Sequence, residues 1–246
     1  MLQTWTLRTL IPFLFFPFIC LAESSTKISA SIATPDFANI KDVKLKKQLF
    51  FEYLTPYIQQ ANEAILKERA FIQSLNFNRL NKKQRKEVRL LMQKYRIEPQ
   101  YLTQQTQETL LKRIDIIPNS MALAQAANES SWGTSRFAIQ ANNYFGQWCF
   151  KKGCGLVPLR RPEGQYHEVK KFASPLESVQ SYMLMLNNRP AFKTLRDLRQ
   201  QARKANNSVN GILLAQGLES YSALKARYVE IISSMIRTNQ LAPLDG

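Results

Sequence analysis

The sequence predicts a mostly helical α+β fold, on three observations. Apolar residues recur at spacings of three and four from Leu45 to Ile65, the period of an amphipathic helix. The run Met121 to Ala127 consists of Ala, Leu, Met and Gln, strong helix formers, most with small side chains. Glycines and prolines then gather between Gly153 and Gly164, the punctuation of a short β-hairpin. With 246 residues and 45% hydrophobic content, the chain can build one good core, or one core plus a helical extension. No internal repeat or low-complexity tract is visible.

Residues 1–22 read as a secretory signal peptide. Arg8 supplies the positive charge, Leu10 to Leu21 is almost wholly apolar, and Cys20-Leu21-Ala22 offers a cleavage site after Ala22. The apolar run is short of the ~20 residues a membrane helix needs, which disfavours the alternative, an uncleaved anchor. Export is therefore expected, to the periplasm first, with cell-surface association as a variant. Residues 23–37 are rich in Ser and Thr and read as a flexible mature terminus. The formal net charge is +16, and losing the leader removes Arg8 and no acid. In an exported chain such an excess points to anionic cell-wall polymers or an anionic membrane face rather than nucleic acid. Membrane contact is expected only through an uncleaved leader, and the protein is expected to act as a monomer.

Residues 38–98 read as an N-terminal helical extension. Ile40 to about Leu75 carries the first apolar stripe, and Pro56 should kink or divide it. Asn81 to Tyr95 is a basic helix with Val88, Leu91 and Met92 inward. Residues 99–240 read as the main domain. Thr103 to Ile114 is its first helix, and Ile116-Ile117-Pro118 leads to the central one. Leu156 to Arg161 faces Tyr166 to Phe172 as a hairpin across residues 162–165, with His167 on the outer surface. Further helices are expected over Pro175 to Leu186, Phe192 to Ala205 and the end of the segment Leu218 to Ile236.

Outside the leader two cysteines remain, Cys149 and Cys154, in C-x4-C spacing. In an oxidising compartment such a pair reads as a disulfide. A zinc site would need two more ligands, and His167 is the only histidine. No metal and no cofactor are expected.

Glu129 sits at the last turn of the central helix, with Gly133 as the expected stop. The helix dipole and burial near Trp132 both disfavour a carboxylate there. An acid kept protonated near neutral pH is what a general acid for glycoside cleavage needs. The plainer alternative is an exposed helix-end glutamate. Trp132 and Trp148 both follow closely, and aromatic faces stack on sugar rings while amides such as Asn143 and Gln147 meet hydroxyls. Trp132 reads more readily as packing behind the acid. Trp148 is loop-borne and better placed for substrate. Asn142 reads as a turn-former.

The stretch Ala124-Gln-Ala-Ala-Asn-Glu129-Ser-Ser-Trp132-Gly133-Thr-Ser, followed by Asn142-Asn143-Tyr144-Phe145-Gly146, resembles the signature of the bacterial glucosaminidase domain. That family holds the cell-wall N-acetylglucosaminidases of glycoside hydrolase family seventy-three. Tyr144-Phe-Gly-Gln-Trp148-Cys149-Phe and the segment from Tyr221 to Val229 resemble its Bax-type members in Gram-negative bacteria. The likeness covers about residues 36–240. It implies a lysozyme-like helical lobe with a small β-hairpin lobe, and hydrolysis of the β-1,4 bond after N-acetylglucosamine in peptidoglycan. The domain is also described as mannosyl-glycoprotein endo-β-N-acetylglucosaminidase-like. Glu129 would be the general acid and Tyr221 the matching catalytic tyrosine. Trp132, Asn143, Tyr144, Phe145, Gln147, Trp148 and Glu168 would line the substrate.

The likeness breaks at the second carboxylate, which a two-acid glycosidase needs about 5–10 Å away. Counting back four residues from Gly164 lands on Arg160. Glu163 in the turn and Glu168 on the second strand are the remaining candidates, while Glu177 reads as a solvated helix face. The substrate's own acetamido group could serve instead. A lytic transglycosylase and a non-catalytic glycan binder are the alternative readings. Tyr228 is expected in the core.

Overall fold

The computed structural model describes residues 33–98 and 101–245, and the expected signal peptide lies outside them. From Thr34 on, the chain shares one hydrophobic core. The fold is mostly helical, with a three-stranded antiparallel sheet. Among the described residues no helix is long and apolar enough to cross a membrane.

Helix α1 (Val43–Ser74) starts at Asp42, whose carboxylate accepts from the N–H groups of Lys44 and Leu45. Its apolar stripe buries Phe50, Tyr53, Leu54, Ile58 and Ile65, each stabilising by about 1.5–3 kcal/mol. Pro56 lies inside the helix and does not divide it. The carbonyl it leaves unpaired belongs to Glu52, an exposed position where water can replace the lost donor. Phe37 is buried against Phe50 and Tyr53. The end of the stretch expected to be flexible is thus part of the core.

Helix α2 (Lys82–Lys94) carries a capping box from Asn81 and Gln84, and α3 (Gln104–Arg113) follows Thr103. Helix α2 is tied to α1 at Glu68, which accepts from the Tyr95 hydroxyl at 2.7 Å and pairs with Lys94, and α3 through side chains that satisfy backbone groups. Arg69 donates to the carbonyls of Leu111 and Ile114, and Gln107 to that of Ile72. Asn62 brackets Ile117, accepting its N–H at 3.0 Å and donating to its carbonyl at 2.8 Å. The first two helices are therefore packed into the same body as the rest.

Helix α4 (Asn119–Ser130) is the central element, and nine of its twelve residues are buried. Its alanines let α1, α8 (Gly211–Ala215) and α9 (Ala226–Thr238) approach closely. A short helix α5 (Arg136–Ala141), unforeseen in the sequence, follows it. Helices α6 (Pro175–Asn188) and α7 (Lys193–Lys204) complete the body.

The sheet has the order β1-β3-β2, from β1 (Trp148–Cys149), β2 (Gly155–Leu156) and β3 (Glu168–Lys170). Leu156 pairs with Val169 and Trp148 with Val169 from the other side. The hairpin is shorter than expected and gains a third strand. Pairing stops at Leu156, two residues before Pro158, which has no N–H to give a ladder.

Candidate active site

Helix α4 ends in three consecutive left-handed residues, Ser131, Trp132 and Gly133, with φ of 50°, 60° and 77°. The stop comes two residues before the glycine expected to supply it. Ser130 makes this possible: its Oγ bonds back to the Ala126 carbonyl at 2.6 Å and accepts the Gly133 N–H at 2.9 Å. A left-handed Ser or Trp costs about 1–3 kcal/mol, and such strain gathers at functional sites. Gly133 is obligatory for a second reason, since a Cβ there would lie 2.5 Å from Phe37 Cδ2.

Glu129, half-buried, projects from the last turn. Its Oε1 accepts from Tyr228 Oη at 2.7 Å and from Asn128 Nδ2 at 3.1 Å. Its Oε2 faces Gly146, where a Cβ would lie 3.6 Å away. Behind it runs a buried chain of donors. Tyr182 donates to Gln125 Oε1 at 2.6 Å, and Gln125 Nε2 donates to Tyr228 Oη at 3.0 Å. Burial first, then neighbouring phenol and Glu129 charge, pushes the Tyr228 and Tyr221 phenols far above their ordinary range. Burial does the same to Tyr182, again with Glu129 adding. All three remain O–H donors. Tyr221 stacks on Tyr228 at 5.3 Å, but donates its own hydroxyl to the Phe145 carbonyl at 3.0 Å.

Glu129 opens onto a groove of ≈ 700 Å³ and is the only acid on its lining among the described residues. Phe137, Phe145, Trp148, Phe150, Phe192 and Tyr221 give it aromatic walls, and Arg96, Lys170 and Arg189 give it charge. Of the expected substrate residues, Phe145, Gln147 and Trp148 reach this groove. Trp148 is 54% exposed and stacks on the buried His167 at 4.0 Å. His167 is thus a support under the indole, not the surface residue expected.

The other expected contacts lie elsewhere. Trp132 packs edge-on against Phe50 and Phe51 and borders a separate depression. Tyr144 is buried against Phe50 and Tyr53. Asn143 is a buried strut: its amide donates to the Gln147 and Lys170 carbonyls and accepts from the Phe145 and Gln147 N–H groups. Asn142 is left-handed, as a turn-former should be. Glu168, expected to meet substrate or act as the second acid, braces the disulfide loop. The N–H groups of Gly153 and Gly155 bond its two carboxylate oxygens at 2.9 and 2.8 Å and hold the acid below its ordinary range. Glu163 is exposed in the loop between β2 and β3, off the groove, and Glu177 is exposed on α6, as its reading as a solvated face requires.

Cys149 and Cys154 form the expected disulfide, so neither thiolate is available to a metal. The bond closes the loop that carries Phe150 to the rim of the groove. Gly155 packs so tightly that a Cβ would lie 1.9 Å from the Val169 carbonyl oxygen.

Sequence reasoning missed Gln125 and the contact made by Tyr228. One signal was present: Gln125 is the lone amide between Met121 and Ala127, one helical turn before Glu129. A buried amide demands partners.

The family model described as mannosyl-glycoprotein endo-beta-N-acetylglucosaminidase matches residues 104–241. The chain is also 32% identical over 220 residues to Protein bax of Escherichia coli (strain K12), a match covering 89% of this chain and 78% of that protein. No solved structure matches it.

Proposed function

The chain belongs to the glucosaminidase family of glycan hydrolases, and on that premise we propose that it cuts the β-1,4 bond after N-acetylglucosamine in exported cell-wall glycan. One observation carries the reading: among the described residues Glu129 is the only acid lining an aromatic groove, held through Oε1 and open through Oε2.

Oε1 already accepts two hydrogen bonds, so the proton of the acid form belongs on Oε2. From there it passes to the leaving glycosidic oxygen as the C–O bond breaks. The substrate's acetamido oxygen attacks the anomeric carbon from the other face and takes the place of a second carboxylate. Water then opens that intermediate, giving its proton to the Glu129 carboxylate and restoring the acid. Trp148 offers its open face to a sugar ring, the other face being backed by His167. Tyr221 takes part by positioning the Phe145 backbone at the groove wall.

The lone acid also favours a second reading, a lytic transglycosylase, in which a substrate hydroxyl replaces water. Digestion of purified peptidoglycan with mass spectrometry of the new ends separates them. Reducing N-acetylglucosamine ends support hydrolysis, and anhydro-muramic ends the transglycosylase. No new ends, with the protein still pelleting on the wall, leaves only a binder.

A further inference from the structure

The groove carries charge that the proposed cleavage does not use. Arg96, Lys170 and Arg189 line it, and none of them forms an ion pair among the described residues. Ion pairs elsewhere gather Arg69, Arg199 and Arg203 on Asp115, and Lys112 and Lys193 on Asp197; many surface cations are unpaired as well, and what sets these three apart is that they line one groove. Three unpaired cations around one concavity, set against the carboxylate of Glu129, focus a net positive potential into it.

The backbone at Arg96 is held firmly, and its side chain is exposed on the groove. The residue follows α2 with φ of 54°, a position where glycine is usual. The turn is pinned by Ile97 N–H on the Met92 carbonyl at 2.8 Å, and by Arg113, which donates to the Tyr95 and Arg96 carbonyls. Arg96 precedes the family-matched segment, which starts at residue 104. The groove also continues toward it. A second depression of ≈ 380 Å³ shares Lys170, Ser181 and Leu184 with the groove and is walled by α1, by Lys94 and Tyr95 at the end of α2, and by Glu177 of α6, an exposed acid that adds one negative charge there. Lys94 there is paired with Glu68, so its charge is already answered.

We infer that the two N-terminal helices add an anion-binding site to the groove, built on Arg96 with Lys170 and Arg189, that takes a carboxylate borne by a substituent of the glycan. This rests on reading the groove as a glycan cleft. The planar guanidinium of Arg96 suits a carboxylate bidentately, and Lys170 adds a point charge. On wall glycan the carboxylate has two sources, a free lactyl ether on alternate sugars or the acidic peptide joined to it.

The test measures binding by calorimetry to Glu129→Gln protein, which cannot consume the ligand. Three glycans are compared: neutral chito-oligosaccharide, strands with free lactyl carboxylates, and strands bearing peptides. A carboxylate-bearing strand binds about tenfold tighter than the neutral one at low salt, and added salt erodes the difference. Arg96→Ala brings that ratio toward one, Arg96→Lys retains part of it, and the strand that loses most identifies the source. Binding of all three glycans with a ratio that Arg96→Ala and Arg189→Ala leave unchanged overturns the site while leaving the cleft. If no glycan binds, the reading of the cleft fails and the site falls with it. Circular dichroism of each variant guards against misfolding.

Discussion

Tyr228 Oη donates to Glu129 Oε1 at 2.7 Å, joining helices α9 and α4 across 99 residues of chain. The bond fixes one carboxylate oxygen and leaves the other to the groove. Its far end is equally committed, because Gln125 Nε2 donates to the same phenol. Tyr228→Phe therefore strands a buried amide donor as well as loosening the acid. We expect a loss of about 1–3 kcal/mol in urea unfolding and a fall in kcat of about tenfold or more, because a hydrogen bond to a charged group is worth at least that. A variant with unchanged kcat would remove Tyr228 from the positioning of Glu129.

Glu129→Gln keeps the shape of the side chain but has no proton to give. Cleavage should fall by about 10²–10⁴-fold, the usual worth of a general acid, with the circular dichroism spectrum unchanged. Retained cleavage of peptidoglycan would refute the assignment.

Trp148 meets the groove with one indole face, the other lying on His167. Trp148→Ala should raise KM more than it lowers kcat, by about tenfold, since stacking on an aromatic is worth about 1 kcal/mol or more. A change confined to kcat would argue against a binding role.

Asp115 is buried among Arg69, Arg199 and Arg203. Burial pushes its carboxyl up, but the Arg203 hydrogen bonds and the charges of Arg199 and Arg69 outweigh it, so the acid is held below its ordinary value of 3.8. A carboxyl depressed in the folded state contributes stability above its unfolded value and loses it as pH falls through the folded one. The urea midpoint should therefore drop as pH goes from above 3.8 to below it, and the drop should shrink in Asp115→Asn. That variant should itself cost about 3–5 kcal/mol at neutral pH, because the fully buried Arg199 is left without its acid.

The loop closed by Cys149 and Cys154 carries Phe150 at the groove rim. Replacing both cysteines by Ser should cost about 2 kcal/mol by the chain-entropy argument for so short a loop. Hydrogen exchange at Gly153, in the loop, and at Gly155, next to it, should accelerate, since their N–H groups bond Glu168 of β3 only while the loop is held in place. Unchanged exchange would show that Glu168 alone holds it.

The sequence determined by itself that the chain is mostly helical, where α1, α4 and α6 run, and that Cys149 pairs with Cys154, while Glu129 stood out through the resemblance of its stretch to the glucosaminidase signature and not through spacing. The helices and the disulfide are local: periodicity, capping residues and short spacing suffice to read them. Tertiary structure alone decided what surrounds the acid. Trp132 lies three residues after Glu129 in the chain yet turns toward Phe50, because the left-handed turn after Ser130 redirects the backbone between them. Tyr228 scans as an apolar-face residue of α9, and it is buried, but a buried hydroxyl must find a partner and the approach of α9 to α4 supplies Glu129. Glu168 has the residue type of a second catalytic acid, and only the sheet register shows both its oxygens spent on backbone N–H groups. Arg96, before the matched segment, reaches the groove because α1 and α2 pack into the common core. Long-range packing of this kind has no period or spacing in the sequence, so it becomes visible only when the helices are assembled.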